Sequence, residues 1–221
     1  KQRKVQKFDV YKKEKKANSL LDNSIRVLLL DETGNFWIGS DGGLNLLVKN
    51  KDKFNFKTIT SQNFDLSGIS VNSMTEDRRG NIWMGTWGDG LIRMSNTTSQ
   101  RTFKQFRPDN TINSLKEPYI VSLKTDAKGN IWVGTWTNGL HLIEQSNSGA
   151  TKFTHYQHDP LNPKSVGHNS IRSIYQDKFG VVWIGTYGNG VSKFDKNASK
   201  FQHFDQDIHN PNGLKGEDIY A

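Results

Sequence analysis

Apolar and polar residues alternate along this chain in short runs, many of which stop at a glycine, asparagine or aspartate. Alternation with a period of two is the mark of a half-buried β-strand. No segment sustains the three-to-four spacing of an amphipathic helix. Ile120 to Thr125 predicts a strand. Asp126-Ala127-Lys128-Gly129 follows, with aspartate at the first turn position and glycine at the fourth, which suits a type I turn closed by a left-handed glycine. Asn130 to Thr135 predicts a second strand around Trp132, Trp136-Thr137-Asn138-Gly139 a second tight turn, and Leu140 to Glu144 a third strand. Lys152 to Tyr156 predicts a fourth, and a longer loop leads to Ile171, where the pattern restarts.

The pattern occurs four times. Its centre reads Gly34-Asn35-Phe36-Trp37-Ile38-Gly39-Ser40, Gly80-Asn81-Ile82-Trp83-Met84-Gly85-Thr86, Gly129-Asn130-Ile131-Trp132-Val133-Gly134-Thr135 and Gly180-Val181-Val182-Trp183-Ile184-Gly185-Thr186. The tryptophans stand 46, 49 and 51 residues apart, a period that suits a four-stranded sheet unit. Asp31, Asp77, Asp126 and Asp177 each precede the turn glycine by three, and Gly43, Gly90, Gly139 and Gly190 close the second hairpin. One twisted sheet cannot bury both faces alone. Stacking such sheets around an axis solves the problem, so Trp37, Trp83, Trp132 and Trp183 are expected to anchor neighbouring sheets. The four aspartates are expected to cap turns rather than catalyse, and Gly39 and Gly85 to permit close approach of the sheets.

The predicted fold is therefore all-β, a β-propeller of four-stranded antiparallel blades. Residues 1–221 are expected to be a partial arc of four to five blades from a seven-bladed ring, with repeats at about 25–60, 71–109, 120–159 and 171–207. Val5 to Tyr11 matches the outer-strand phrases, so residues 1–24 are expected to supply the outer strand of a preceding blade and a linker. Residues 208–221 are expected to begin a following blade. A ring of seven such blades needs roughly 340 residues, and a closed four-bladed ring is the lesser alternative.

Composition narrows the function classes. There is no cysteine, which removes disulfides, thiolate chemistry and cysteine metal ligation. No run approaches the roughly 20 apolar residues of a membrane span. The net charge is +8, but residues 1–16 carry eight basic side chains against two acidic ones. A nucleic-acid surface should spread its charge along a face with aromatic platforms, so this concentration predicts a solvated edge and no nucleic-acid contact. The six histidines show no repeated ligand spacing. No metal, cofactor or catalytic residue is expected.

The repeated residues resemble a known family. Asn18-Ser19-Leu20, Asn23 to Val27, Asp31 to Ser40 and Gly42-Gly43-Leu44 are similar to the two-component regulator propeller repeat, and Asn169 to Ile174, Asp177 and Trp183 to Thr186 repeat it. Phe64 to Ser70 departs from the usual Asn-Ser-Leu start of the loop, and Val181 replaces an asparagine. The resemblance implies an extracytoplasmic sensor module of a hybrid two-component histidine kinase, of the kind found in gut Bacteroidetes. It implies a periplasmic or extracytoplasmic portion of an inner-membrane protein, further propeller blades and signalling domains on the parent chain, a homodimer, and an oligosaccharide ligand controlling glycan-utilisation genes. The kinase histidine and the receiver aspartate have no counterpart at any residue here.

The turns between second and third strands place Asp41, Trp87, Trp136 and Tyr187 at equivalent positions, and the inner strands do the same for Arg26, Asn72, Val121 and Arg172. Loop residues Tyr119 and His168 flank them. Aromatic faces stack on sugar rings, and polar groups fix their orientation. The expected ligand site is Arg26, Trp87, Tyr119, Trp136, His168, Arg172 and Tyr187, with the arginines disposed to hold an acidic sugar or sulfate. Packing between blades is the competing role for Trp87 and Trp136. Two rival functions are a polysaccharide-cleaving propeller, which needs paired carboxylates and offers Asp89 as its best odd acid, and a protein-binding scaffold using the basic first strand.

Overall fold

The computed structural model describes residues 8–50, 53–61, 64–95, 101–109, 111–146, 149–195, 200–204, 213–214 and 218–219. These residues form four antiparallel sheets of four strands, each in simple sequence order. The first holds β1 (Ile25–Leu30), β2 (Phe36–Ser40), β3 (Gly43–Asn50) and β4 (Lys53–Thr58). The second holds β5 (Val71–Glu76), β6 (Ile82–Thr86), β7 (Leu91–Met94) and β8 (Phe103–Phe106). The third holds β9 (Ile120–Thr125), β10 (Ile131–Thr135), β11 (Leu140–Gln145) and β12 (Thr151–Tyr156), and the fourth β13 (Ile171–Gln176), β14 (Val182–Thr186), β15 (Val191–Asp195) and β16 (Lys200–Phe204). This is the blade pattern of a propeller.

The innermost strands β1, β5, β9 and β13 pack side by side in that order. Between each pair of blades lies one apolar cluster. Trp37, Leu44 and Leu46 meet Val71, Met74 and Met84. Trp83 and Leu91 meet Ile120, Ile131 and Val133. Trp132, Leu140 and Leu142 meet Ile171, Val182 and Ile184. Trp37, Trp83 and Trp132 thus press onto the following blade, while Trp183 is only half-buried.

Two backbone devices make the stacking possible. The glycine two after each tryptophan takes the first β-branched residue of the next inner strand. A Cβ on Gly85 would lie 2.5 Å from Ile120 Cγ2, and one on Gly39 2.9 Å from Val71 Cγ1. Gly134 receives Ile171 in the same way, and Gly185 receives Ile219, whose amide also bonds the Thr186 carbonyl. The second device is a bulge. The pairing register slips between Ile25 and Val27, Val71 and Ser73, and Ile171 and Ser173, and between Ile120 and Ser122 opposite Gly134 and Thr135. The extra residues are Arg26, Asn72, Arg172 and Val121. A bulge re-aims its extra side chain, here at the end of the inner strand.

The fifth outer strand expected at Val5 to Tyr11 falls partly on residues 1–7, outside the described residues. Residues 8–24 carry no strand. They run beside the first blade, where Tyr11 packs edge-on against Phe54 and Phe56.

Candidate functional site

The site grows from the second hairpin turn of each blade. Thr86, Thr135 and Thr186 close their turns by donating their hydroxyls to the carbonyls of Gly90, Gly139 and Gly190. One backbone bond then recurs at the next residue. The amides of Asp41, Trp87, Trp136 and Tyr187 donate to the carbonyls of Ser24, Ser70, Tyr119 and Ser170. The repeat therefore fixes the turn residue against the long loop, and sequence only chooses the side chain displayed.

That choice produces a continuous aromatic surface. Trp87 meets Tyr119 at 5.1 Å and Trp136 edge-on at 5.2 Å between ring centroids. The Arg172 guanidinium lies 4.1 Å above the Trp136 ring and 4.8 Å from that of Tyr187. Trp87, Tyr119, Trp136 and Tyr187 keep 37–46% of their surface in solvent. Buried lids would be fully covered, as Trp37 and Trp83 are.

Two hollows open on this surface and share Trp136 and Arg172 as a wall. One, of about 690 Å³, is lined by Arg26, Asp41, Ser70, Asn72, Trp87 and Val121 besides the wall. The other, of about 440 Å³, adds Thr137, His168, Asn169, Ser170 and Tyr187. Six of the seven residues expected from sequence line these hollows, and Tyr119 backs Trp87. His168 Nδ1 accepts the Ser170 amide at 2.9 Å, which leaves the Nε2–H as the donor of the neutral ring.

Arg26 differs from the expectation. It is clamped by Asp41 through two parallel bonds of 2.9 and 2.8 Å, and Ser70 adds a third bond to the same carboxylate at 2.6 Å. Arg26 and Ser70 hold the Asp41 carboxyl at about 2, and Asp41 raises the Arg26 guanidinium in return. The pair presents a neutral, hydrogen-bonding floor rather than a bare cation. Asp41 is fifteen residues away, on the second hairpin turn rather than the first, so only the structure reveals the pairing.

Asp89, offered for carboxylate chemistry, and two of the histidines have structural partners. Asp89 forms an ion pair with Arg107 at 2.6 Å. His155 bonds the Ser114 carbonyl at 2.8 Å and His158 that of Val166 at 3.0 Å. Among the described residues no group of three or more histidines, aspartates and glutamates is placed to hold a metal ion.

Sequence reasoning missed Glu117. Its buried carboxylate accepts the amides of Thr137 and Asn138 and the Thr137 hydroxyl. Its position differs in every loop, the others having Asp22, Gly68 and His168, so the sequence carries no signal for its role.

The profile of the two-component regulator propeller repeat matches residues 19–42, 65–88, 108–137 and 165–188. Histidine kinase P4 of Formosa agariphila is 29% identical over 82% of the chain, which spans 16% of that relative's length. The extracellular domain of a protein described as a hybrid two-component system of B. thetaiotaomicron superposes with a TM-score of 0.65. Its identity is 23%, over 88% of this chain and 25% of its own. PorZ, a surface component of the type-IX secretion system of Porphyromonas gingivalis, superposes with a TM-score of 0.70 at 15% identity, over 98% of this chain and 31% of its own. The two superpositions share the fold.

Proposed function

The chain is built of two-component regulator propeller repeats, and on that premise we propose that it is an extracytoplasmic sensing segment that binds an oligosaccharide. The observation that carries this is the exposed aromatic surface of Trp87, Tyr119, Trp136 and Tyr187, with Arg172 stacked between two of the rings. A stacking face bordered by oriented polar groups is what a sugar ring requires: apolar C–H faces meet the rings and hydroxyls meet the polar rim. Asp41, Ser70, Asn72 and Asn169 form that rim.

The likeness to a histidine kinase supports a parent protein in which binding here is relayed to a kinase and on to glycan-utilisation genes. Such a parent signals as a dimer across the inner membrane, with this segment on the outer side. Sedimentation of the whole extracytoplasmic region tests the dimer, and a monomer at all concentrations contradicts it.

Calorimetry with neutral and acidic glycan fragments tests the site. Trp136→Ala and Arg172→Ala are each expected to weaken binding about tenfold or more, the size of a central contact. Unchanged affinity in both variants overturns the site.

A further inference from the structure

Three consecutive residues, Glu117, Pro118 and Tyr119, touch both tryptophan turns. Glu117 is 5% exposed. Its Oε2 accepts the Thr137 and Asn138 amides at 2.8 and 2.9 Å, and its Oε1 accepts the Thr137 hydroxyl at 3.0 Å. Those are the two residues directly after Trp136. The Pro118 carbonyl accepts the amides of Gly88 and Gly90, at 3.2 and 3.0 Å, in the turn after Trp87. Tyr119 gives its carbonyl to the Trp136 amide and lays its ring on Trp87.

At the equivalent position no other described loop clamps turn amides with a side chain. Asp22 and His168, at the equivalent position, turn back onto the amides of Ser24 and Ser170 within their own loops, and Gly68 has no side chain. The carboxylate clamp stands only where two exposed tryptophans meet. A buried carboxylate is tolerable when several donors face it, and such charge-assisted bonds are short and stiff. Rigid display lowers the ordering cost of binding.

We infer that Glu117 is a positioning residue that locks Trp87 and Trp136 into one preformed recognition surface through the Glu117-Pro118-Tyr119 segment. This rests on the proposal that the surface binds ligand, but its first test does not need one. In the chain labelled with 5-fluorotryptophan, the fluorine resonances of Trp87 and Trp136 are assigned with Trp87→Phe and Trp136→Phe. Glu117→Ala is expected to shift both and to leave Trp37, Trp83, Trp132 and Trp183 in place. Glu117→Gln keeps a carbonyl oxygen for the Thr137 and Asn138 amides and is expected to restore both positions. A shift of neither resonance, or of Trp136 alone, overturns the lock. If the alanine variant loses its fold, Glu117→Asp, one methylene short, must produce the same selective shift, and failure to do so overturns it equally.

The second arm measures binding of the tightest member of a neutral and acidic oligosaccharide array. Glu117→Ala is expected to weaken it about tenfold, and Glu117→Gln less than about twofold. Selective fluorine shifts together with binding insensitive to Trp136→Ala, or with no binding at all, overturn the ligand site and leave the lock standing. Loss of binding in Trp136→Ala with neither effect in Glu117→Ala does the reverse.

Discussion

The turn aspartates do more than cap. In every repeat the carboxylate accepts amides two and four residues on, and also the indole N–H of the tryptophan six residues on, at 2.8 Å for Trp37 and Trp83, 3.3 Å for Trp132 and 3.0 Å for Trp183. A buried indole N–H needs an acceptor, and the turn supplies it. Burial pushes the Asp31 carboxyl up, but the bonds from Trp37, Asn35 and Thr33 outweigh it and hold the group at about 2. Asp77 is lowered against its burial by Asn81 and Trp83, and Asp177 is lowered by Trp183. Asp77→Ala leaves buried donors unsatisfied and is expected to cost about 1–3 kcal/mol in urea unfolding; wild-type stability contradicts the pairing. Asp31, Asp77 and Asp177 titrate lower folded than unfolded, so their contribution is complete above the ordinary carboxyl value near 4 and is lost as pH falls below it, toward about 2 for Asp31.

His141 adds an earlier phase. Burial, then neighbouring His155, lowers it to about 3, so the unfolded chain takes up a proton below about 6.5 that the folded chain refuses. Stability should start falling there, and His141→Ile should flatten the profile between about pH 6.5 and 3. A profile unchanged by that substitution contradicts this assignment. The aspartates were legible as turn residues from spacing alone. Their bond to tryptophan was not, because it depends on how the two hairpin strands register.

At the scale of the element, the repeat tolerates variation by compensation. One inward position of the third strand holds Asn45, Ile92, His141 and Ser192, all buried. Asn45 accepts the Leu21 amide and Ser192 the Gly167 amide, each from the loop leading into its own blade. Ile92 cannot accept, and in that blade the corresponding Ser67 amide bonds Asp65 instead. The departure from Asn-Ser-Leu in the second repeat is thus matched by the apolar residue 27 positions later. Ile92→Asn alone is expected to destabilise, since its amide meets an occupied donor. Adding Asp65→Ser should recover part of the loss, a favourable coupling in a double-mutant cycle, and strict additivity contradicts the link. The contact glycines make a sharper case. Gly134→Ala drives a methyl into the Ser122 hydroxyl and to 2.7 Å from Ile171 Cγ2. Overpacking of this kind costs about 1–3 kcal/mol, readable as a lowered urea midpoint. The strands and turns were visible in the period-two pattern. The bulge that turns out Arg26 and Arg172 was not, since one extra residue leaves no mark in a single strand's composition.

For the whole molecule, the architecture divides its two ends. The Asp–Trp turns close one end of the blades and the Trp87, Trp136 and Tyr187 turns the other. Order at the first end holds the sheets together, while variation at the second builds a surface. The candidate residues could be singled out in the sequence because they recur at equivalent turn and inner-strand positions whose side chains vary from blade to blade. Glu117 and the Arg26–Asp41 pair escaped because their roles rest on contacts between segments 15 to 21 residues apart. Hydrogen exchange of the chain with and without its tightest oligosaccharide tests whether the aromatic turns bind it. Added protection is expected to be confined to residues 86–90, 117–119, 135–139, 167–172 and 186–190. Protection at the Asp–Trp turns instead, or none at the aromatic turns, contradicts it.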